Sequence, residues 1–247
     1  MMAYSEKAKQ YHEKMFPDQP ADLTGPDREY IERYGNFAYD EVVKETKLDD
    51  RTLYLSHLAT AMGAGAVDEF GVLVPAALNF GLTPEEIKEV VYQGTAYLGM
   101  HRVYPFLVKV NEVFKENGVK ETEESKLTNT EETRRETGTA CQVEAFGEGM
   151  QDAWKNGTVN YWLADYCFGD YYTRKYLNMK DRELITFCFI YAQGGCENQL
   201  RGHTKGNIAV GNTKEVLIDV VQQNIPYMGF PRSLNAIAII NEVTEKK

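Results

Sequence analysis

The stretch Gly195-Cys-Glu-Asn-Gln-Leu-Arg-Gly-His203 concentrates the side chains able to do chemistry: a thiol, an amide, a guanidinium and an imidazole. On a helix, Cys196 and His203 are seven residues apart and share a face. The rise between them is about 10.5 Å, too long for a direct hydrogen bond. Gln199 lies one turn before His203 and is placed to orient its imidazole. An imidazole that titrates near neutrality suits general acid–base chemistry. The plainer alternative is a partly buried histidine satisfied by a neighbour. Cys196 follows two glycines at a predicted helix start, where the helix dipole favours a thiolate. Its plainer alternative is a small packing residue.

Other candidates depend on packing. Glu183 lies in Asp181-Arg-Glu-Leu184 at a predicted helix start. A carboxylate there favours the dipole, and it joins a site only if its helix packs on that of His203. Arg232 could hold a substrate carboxylate, although Tyr227 and Arg232 recur as Tyr97 and Arg102, which points to structural duty. Cys188 falls in an apolar run and reads as core, and Cys141 and Cys167 read as packing residues. His12, His57 and His101 form no ligand spacing with one another or with the cysteines, so no metal site is expected. No phosphate loop, dinucleotide fingerprint or serine-nucleophile elbow occurs.

The elements that must position these residues come in two copies. The segments starting at Gly81 and Gly211 align over 33 residues at an offset of 130, with twelve identities that include Gln93/Gln223, Tyr97/Tyr227 and Arg102/Arg232. Asp50-Arg51 matches Asp181-Arg182 at an offset of 131. The period is too long for a solenoid, so each copy is domain-sized. Domains over 1–118 and 119–247 follow, with a polar linker or surface helix across 115–139. The periodicity predicts an all-α chain, with five or six helices per copy and a pseudo-twofold relation between them. One helix runs from Asp181 to Tyr191. A second runs from Cys196 to Val210 and stops at Gly211. Thr83-Pro-Glu-Glu86 is a capping box, and Thr213 caps the equivalent helix. Leu73 and Ala66 stand where the second copy has His203 and Cys196. The chemistry is therefore expected in the second copy alone.

Composition narrows the partners. The formal net charge is −10 and no basic stripe occurs, which argues against nucleic acid. No apolar run approaches the ~18 residues of a membrane span. The polar start carries no visible signal peptide, and four unpaired cysteines suit a reducing compartment. A cytoplasmic protein acting on a small molecule is the expectation.

The second copy resembles the carboxymuconolactone decarboxylase family, within the alkyl hydroperoxidase D-like superfamily. The resemblance rests on the order and spacing of Arg135–Gly138, Phe146-Gly147, Tyr166–Arg174, Leu177, Lys180–Leu184, Gln199–His203, Gly211–Glu215 and Tyr227–Pro231. The first copy matches more weakly through Arg51, Gly81–Glu89 and Tyr97–Gly99. The resemblance implies tandem helical domains, a cofactor-free decarboxylation of a lactone bearing a carboxylate, and a homo-oligomer, plausibly a trimer of two-copy chains. It assigns His203 as acid/base, with Gln199 orienting it. Glu183 and Tyr227 would line the pocket, and Arg201 or Arg232 would hold the substrate carboxylate. Gln199 stands where the family's decarboxylases carry Glu, which removes a charge beside His203.

Two other readings stay open. The hydroperoxidase branch carries Cys-x-x-Cys on this helix. Cys196 matches its first cysteine, and Gln199 replaces the second, the one best placed for activation by His203. A one-cysteine peroxidase using Cys196, with Cys188 as resolver, would need favourable packing. A non-enzymatic helical scaffold is the third reading.

Overall fold

The computed structural model of the chain describes residues 4–245 except 18, 20 and 22. Thirteen α-helices and no strand occur among them. The first copy holds α1 (Glu6–Met15), α2 (Arg28–Asn36), α3 (Asp50–Ala64), α4 (Val67–Asn79), α5 (Pro84–Leu98) and α6 (Met100–Glu116). The second holds α7 (Arg134–Phe146), α8 (Thr158–Trp162), α9 (Met179–Gln193), α10 (Glu197–Ala209), α11 (Lys214–Gln223), α12 (Ile225–Met228) and α13 (Phe230–Thr244). α4 and α10 superpose in sequence at an offset of 130 at both ends.

Local chemistry sets the ends of these helices. Thr83 accepts from the Glu86 amide while Glu86 caps back, and Thr213 accepts from the Val216 amide. Asn178 and Asp181 make a second capping box at the start of α9, one that the sequence reading did not single out. Gly211, at φ 95°, lets the chain leave α10 by a left-handed turn. The polar stretch 115–139 divides. α6 ends at Glu116, and Arg134 onward already belongs to α7, whose Gly138 and Thr139 are buried.

α3 and α9 lie at the centre, packed on each other and buried almost all round, as helices without an amphipathic stripe must be. One hydrophobic core runs through both copies, from Leu53, Leu58 and Phe70 to Phe187, Phe189 and Ile240. A π-helical turn follows the second helix of each copy, over Phe37–Val42 and Leu163–Tyr172. Such turns recur at functional sites because they re-aim side chains. No helix among the described residues is long and apolar enough to cross a membrane.

Candidate active site

His203 lies on α10 and Glu183 on α9, and the packing of these two helices brings them together. Asn207 fastens the pair. Its amide donates to the Glu183 carbonyl at 2.8 Å and to the His203 carbonyl at 2.7 Å, and its oxygen accepts from Asn212. Gly206 makes room for the carboxylate, since a Cβ there would sit 2.5 Å from Glu183 Oε2. His203 Nδ1 is 2.9 Å from that oxygen. Glu183 is fully buried and the imidazole nearly so.

Hydrogen-bond bookkeeping fixes the polarity of the site. The Tyr172 hydroxyl donates to Glu183 Oε1 at 2.8 Å. That uses its only proton, so the Tyr97 hydroxyl, 2.8 Å away, must donate to Tyr172. Gln93 donates to Thr186 Oγ1, and Thr186 in turn donates to Tyr172 at 2.9 Å. The Cys167 thiol donates to Tyr97 at 3.6 Å. Every proton points towards Glu183. With Oε1 taken by Tyr172, Glu183 Oε2 and His203 Nδ1 share one proton between them. Burial, together with the Glu183 charge, pushes the Tyr97 and Tyr172 phenols well above their ordinary value and keeps them protonated.

His203 Nε2 is the open end of the pair. It has no hydrogen-bond partner among the described residues, yet it is not one of the sealed, unpartnered atoms. The rings of Tyr97 and Phe146 meet the imidazole edge-on at 5.4 and 5.3 Å. An imidazole backed by a carboxylate and open at the opposite nitrogen can exchange a proton with a bound molecule. The clefts lined by Tyr4 and His12, by Phe37 and Asp219, by Arg135 and Trp154, by Cys196 and Arg232, and by Ile208 and Val243 do not include His203.

Several expected partners lie elsewhere. Gln199 is exposed and does not orient His203; the Glu183 carboxyl group from α9 takes that place. Tyr227 does not line this pocket. Its ring lies 5.0 Å from His57, and its repeat partner Tyr97 occupies the His203 site instead. The copies thus exchange tyrosines, each reaching into the half it does not belong to. Arg201 is held by Glu242 at 2.9 Å on the surface. Arg232 donates to the Ala192 carbonyl beside Gly194. Neither guanidinium is brought to His203. Cys196 is the N-cap of α10 and lines a small cleft with Tyr191 and Arg232, apart from Glu183 and His203. Cys188 is sealed in the core, where burial raises its thiol pKa. No group of three or more His, Cys, Asp or Glu among the described residues could hold a metal ion.

Tyr97, Tyr172, Thr186, Phe146 and Cys167 are the residues that sequence reasoning missed. The duplication held one signal: Tyr97 shares its register with Tyr227.

The corresponding place in the first copy holds Leu73. Its polar cluster is centred on His57, whose Nδ1 is 2.9 Å from Asn224 Oδ1. The Asn224 amide donates to Ser56 and to the Val220 carbonyl. Its oxygen therefore faces His57, which donates through Nδ1 and stays neutral. Burial lowers the His57 pKa from 6.5 to about 4. The unfolded chain takes up a proton there below pH 6.5, whereas the folded chain does so only near pH 4. Stability is complete above pH 6.5 and falls with pH towards 4, by about 3 kcal/mol for this group. Urea midpoints between pH 7 and pH 4 should show that loss in the wild type and a markedly smaller one in His57→Gln. Equal losses would refute the assignment.

Residues 28–107 and 158–242 match the carboxymuconolactone decarboxylase family. A 4-carboxymuconolactone decarboxylase from Acinetobacter baylyi (strain ATCC 33305 / BD413 / ADP1) is 30% identical over 83 residues, which cover 34% of this chain and 62% of that protein. The chain thus spans less than two thirds of that curated relative's length.

Proposed function

The chain belongs to the carboxymuconolactone decarboxylase family, and from that premise we propose that it decarboxylates a small lactone carboxylate by acid–base chemistry at His203. The substrate class is taken from the name of the 4-carboxymuconolactone decarboxylase it resembles. One observation carries the reading: the run of donors that ends on Glu183 and leaves His203 Nε2 open.

The step balances as follows. The bond to the carboxylate carbon breaks and CO₂ leaves. Its electron pair spreads into the unsaturated lactone. A proton from His203 Nε2 then forms the new C–H bond, and solvent restores the imidazolium. Glu183 stabilises that imidazolium through Nδ1–H, as the carboxylate partner of a catalytic histidine does. Tyr97 and Tyr172, held protonated, supply neutral dipoles rather than charge. The separation of Cys196 from His203 favours this route over a thiol route.

The test is to incubate the protein with 4-carboxymuconolactone in D₂O. The expected product has lost CO₂ and carries one solvent-derived deuterium on a carbon of the conjugated lactone. No consumption of this lactone or of related lactone carboxylates would overturn the proposal.

A further inference from the structure

The duplication exposes a carboxylate that lacks its cation. Glu89 on α5 and Asp219 on α11 are repeat equivalents at an offset of 130. Glu89 is fully buried and matched by two guanidinium groups. Arg174 reaches both of its oxygens, at 2.9 and 3.0 Å, and Arg182 reaches Oε2 at 3.0 Å. Asp219 is only 8% exposed. Its Oδ2 accepts from the Lys47 amide at 2.7 Å and from Thr46 Oγ1 at 3.3 Å. Its Oδ1 is buried with no partner.

The two arginines have repeat counterparts that do not serve Asp219. Val43 stands in place of Arg174 at the offset of 131 and carries no charge. Arg51 corresponds to Arg182 and is committed to Glu86 and Asp181. A cleft of about 950 Å³ lies there instead, with Asp219 in its wall and Phe37, Leu48, Ile225 and Phe230 as apolar lining. The charged groups on its rim are Glu41, Glu45 and Glu215 against Lys44 and Lys47. With Asp219, the carboxylates outnumber the ammonium groups.

An unpartnered buried carboxylate oxygen is costly, and a charged donor satisfies it best. We propose that this cleft binds a small amphipathic amine, its ammonium drawn to the Asp219 carboxylate in the wall and its apolar body against Phe37, Ile225 and Phe230. The site shares no residue with the His203 site and stands independently of the proposed activity.

Benzylamine is a suitable probe, with benzyl alcohol as its uncharged control, both titrated into the full chain by calorimetry. Saturable binding of benzylamine at millimolar concentration is expected, with benzyl alcohol at least about tenfold weaker, the order expected for a lost charge-assisted contact. Asp219→Asn should weaken benzylamine about tenfold, while Glu215→Gln on the rim should leave it unchanged. Phe230 is 58% exposed, so Phe230→Ala should fold whatever Asp219→Asn does, and it should bind benzylamine about threefold more weakly. Four results would overturn the proposal: no saturable binding, equal binding of benzyl alcohol, unchanged binding in folded Asp219→Asn, or unchanged binding in Phe230→Ala.

Discussion

Glu183→Gln should lower turnover by roughly 10²- to 10⁴-fold while leaving the fold intact, because the loss falls on proton transfer. The amide matches the carboxylate in shape, so Gly206 still clears it and Asn207 still fastens α9 to α10. Tyr172 must keep its acceptor, so the amide oxygen faces Tyr172 and the amide NH₂ faces His203 Nδ1. That nitrogen must then give up its proton and accept. The imidazolium loses its anionic partner, and the neutral ring takes the other tautomer. A full pH–rate profile of wild type and Glu183→Gln checks this. Matching turnover in the two would show that the carboxylate does not support the histidine.

The second large effect concerns the ion cluster behind the site. Arg182 is fully buried, and its guanidinium donates to Glu89, Gln93 and the carbonyls of Arg174 and Lys175. Gln93 in turn holds the Arg182 carbonyl and Thr186, and Thr186 touches Tyr172. Arg182→Met keeps the bulk but leaves Gln93, two carbonyls and part of Glu89 without donors. Breaking a buried pair by removing one partner costs about 3–5 kcal/mol. Urea unfolding should show a loss of that order. A loss below about 1 kcal/mol would mean that Arg174 alone satisfies Glu89.

Helices, caps and duplication were legible in the sequence because they depend on neighbours along the chain. Thr83 and Glu86 are three residues apart, and α4 and α10 keep one register. The His203–Glu183 pair was legible only conditionally, since it required α9 to pack on α10. The misreading of Gln199 has a physical cause. Helical spacing puts it beside His203, but a buried carboxylate from another helix makes the stronger contact once Gly206 lets it approach. Tyr97 and Tyr227 share a register, but which half each one enters is settled by how α5 and α12 cross the central α3–α9 pair. That crossing is tertiary, and no local pattern encodes it.

The most direct measurement follows CO₂ release from 4-carboxymuconolactone by wild type, His203→Ala and Cys196→Ser side by side. Acid–base catalysis at His203 predicts that Cys196→Ser works at the wild-type rate and that His203→Ala, still folded by circular dichroism, releases almost none. An active His203→Ala or an inactive but folded Cys196→Ser would contradict it.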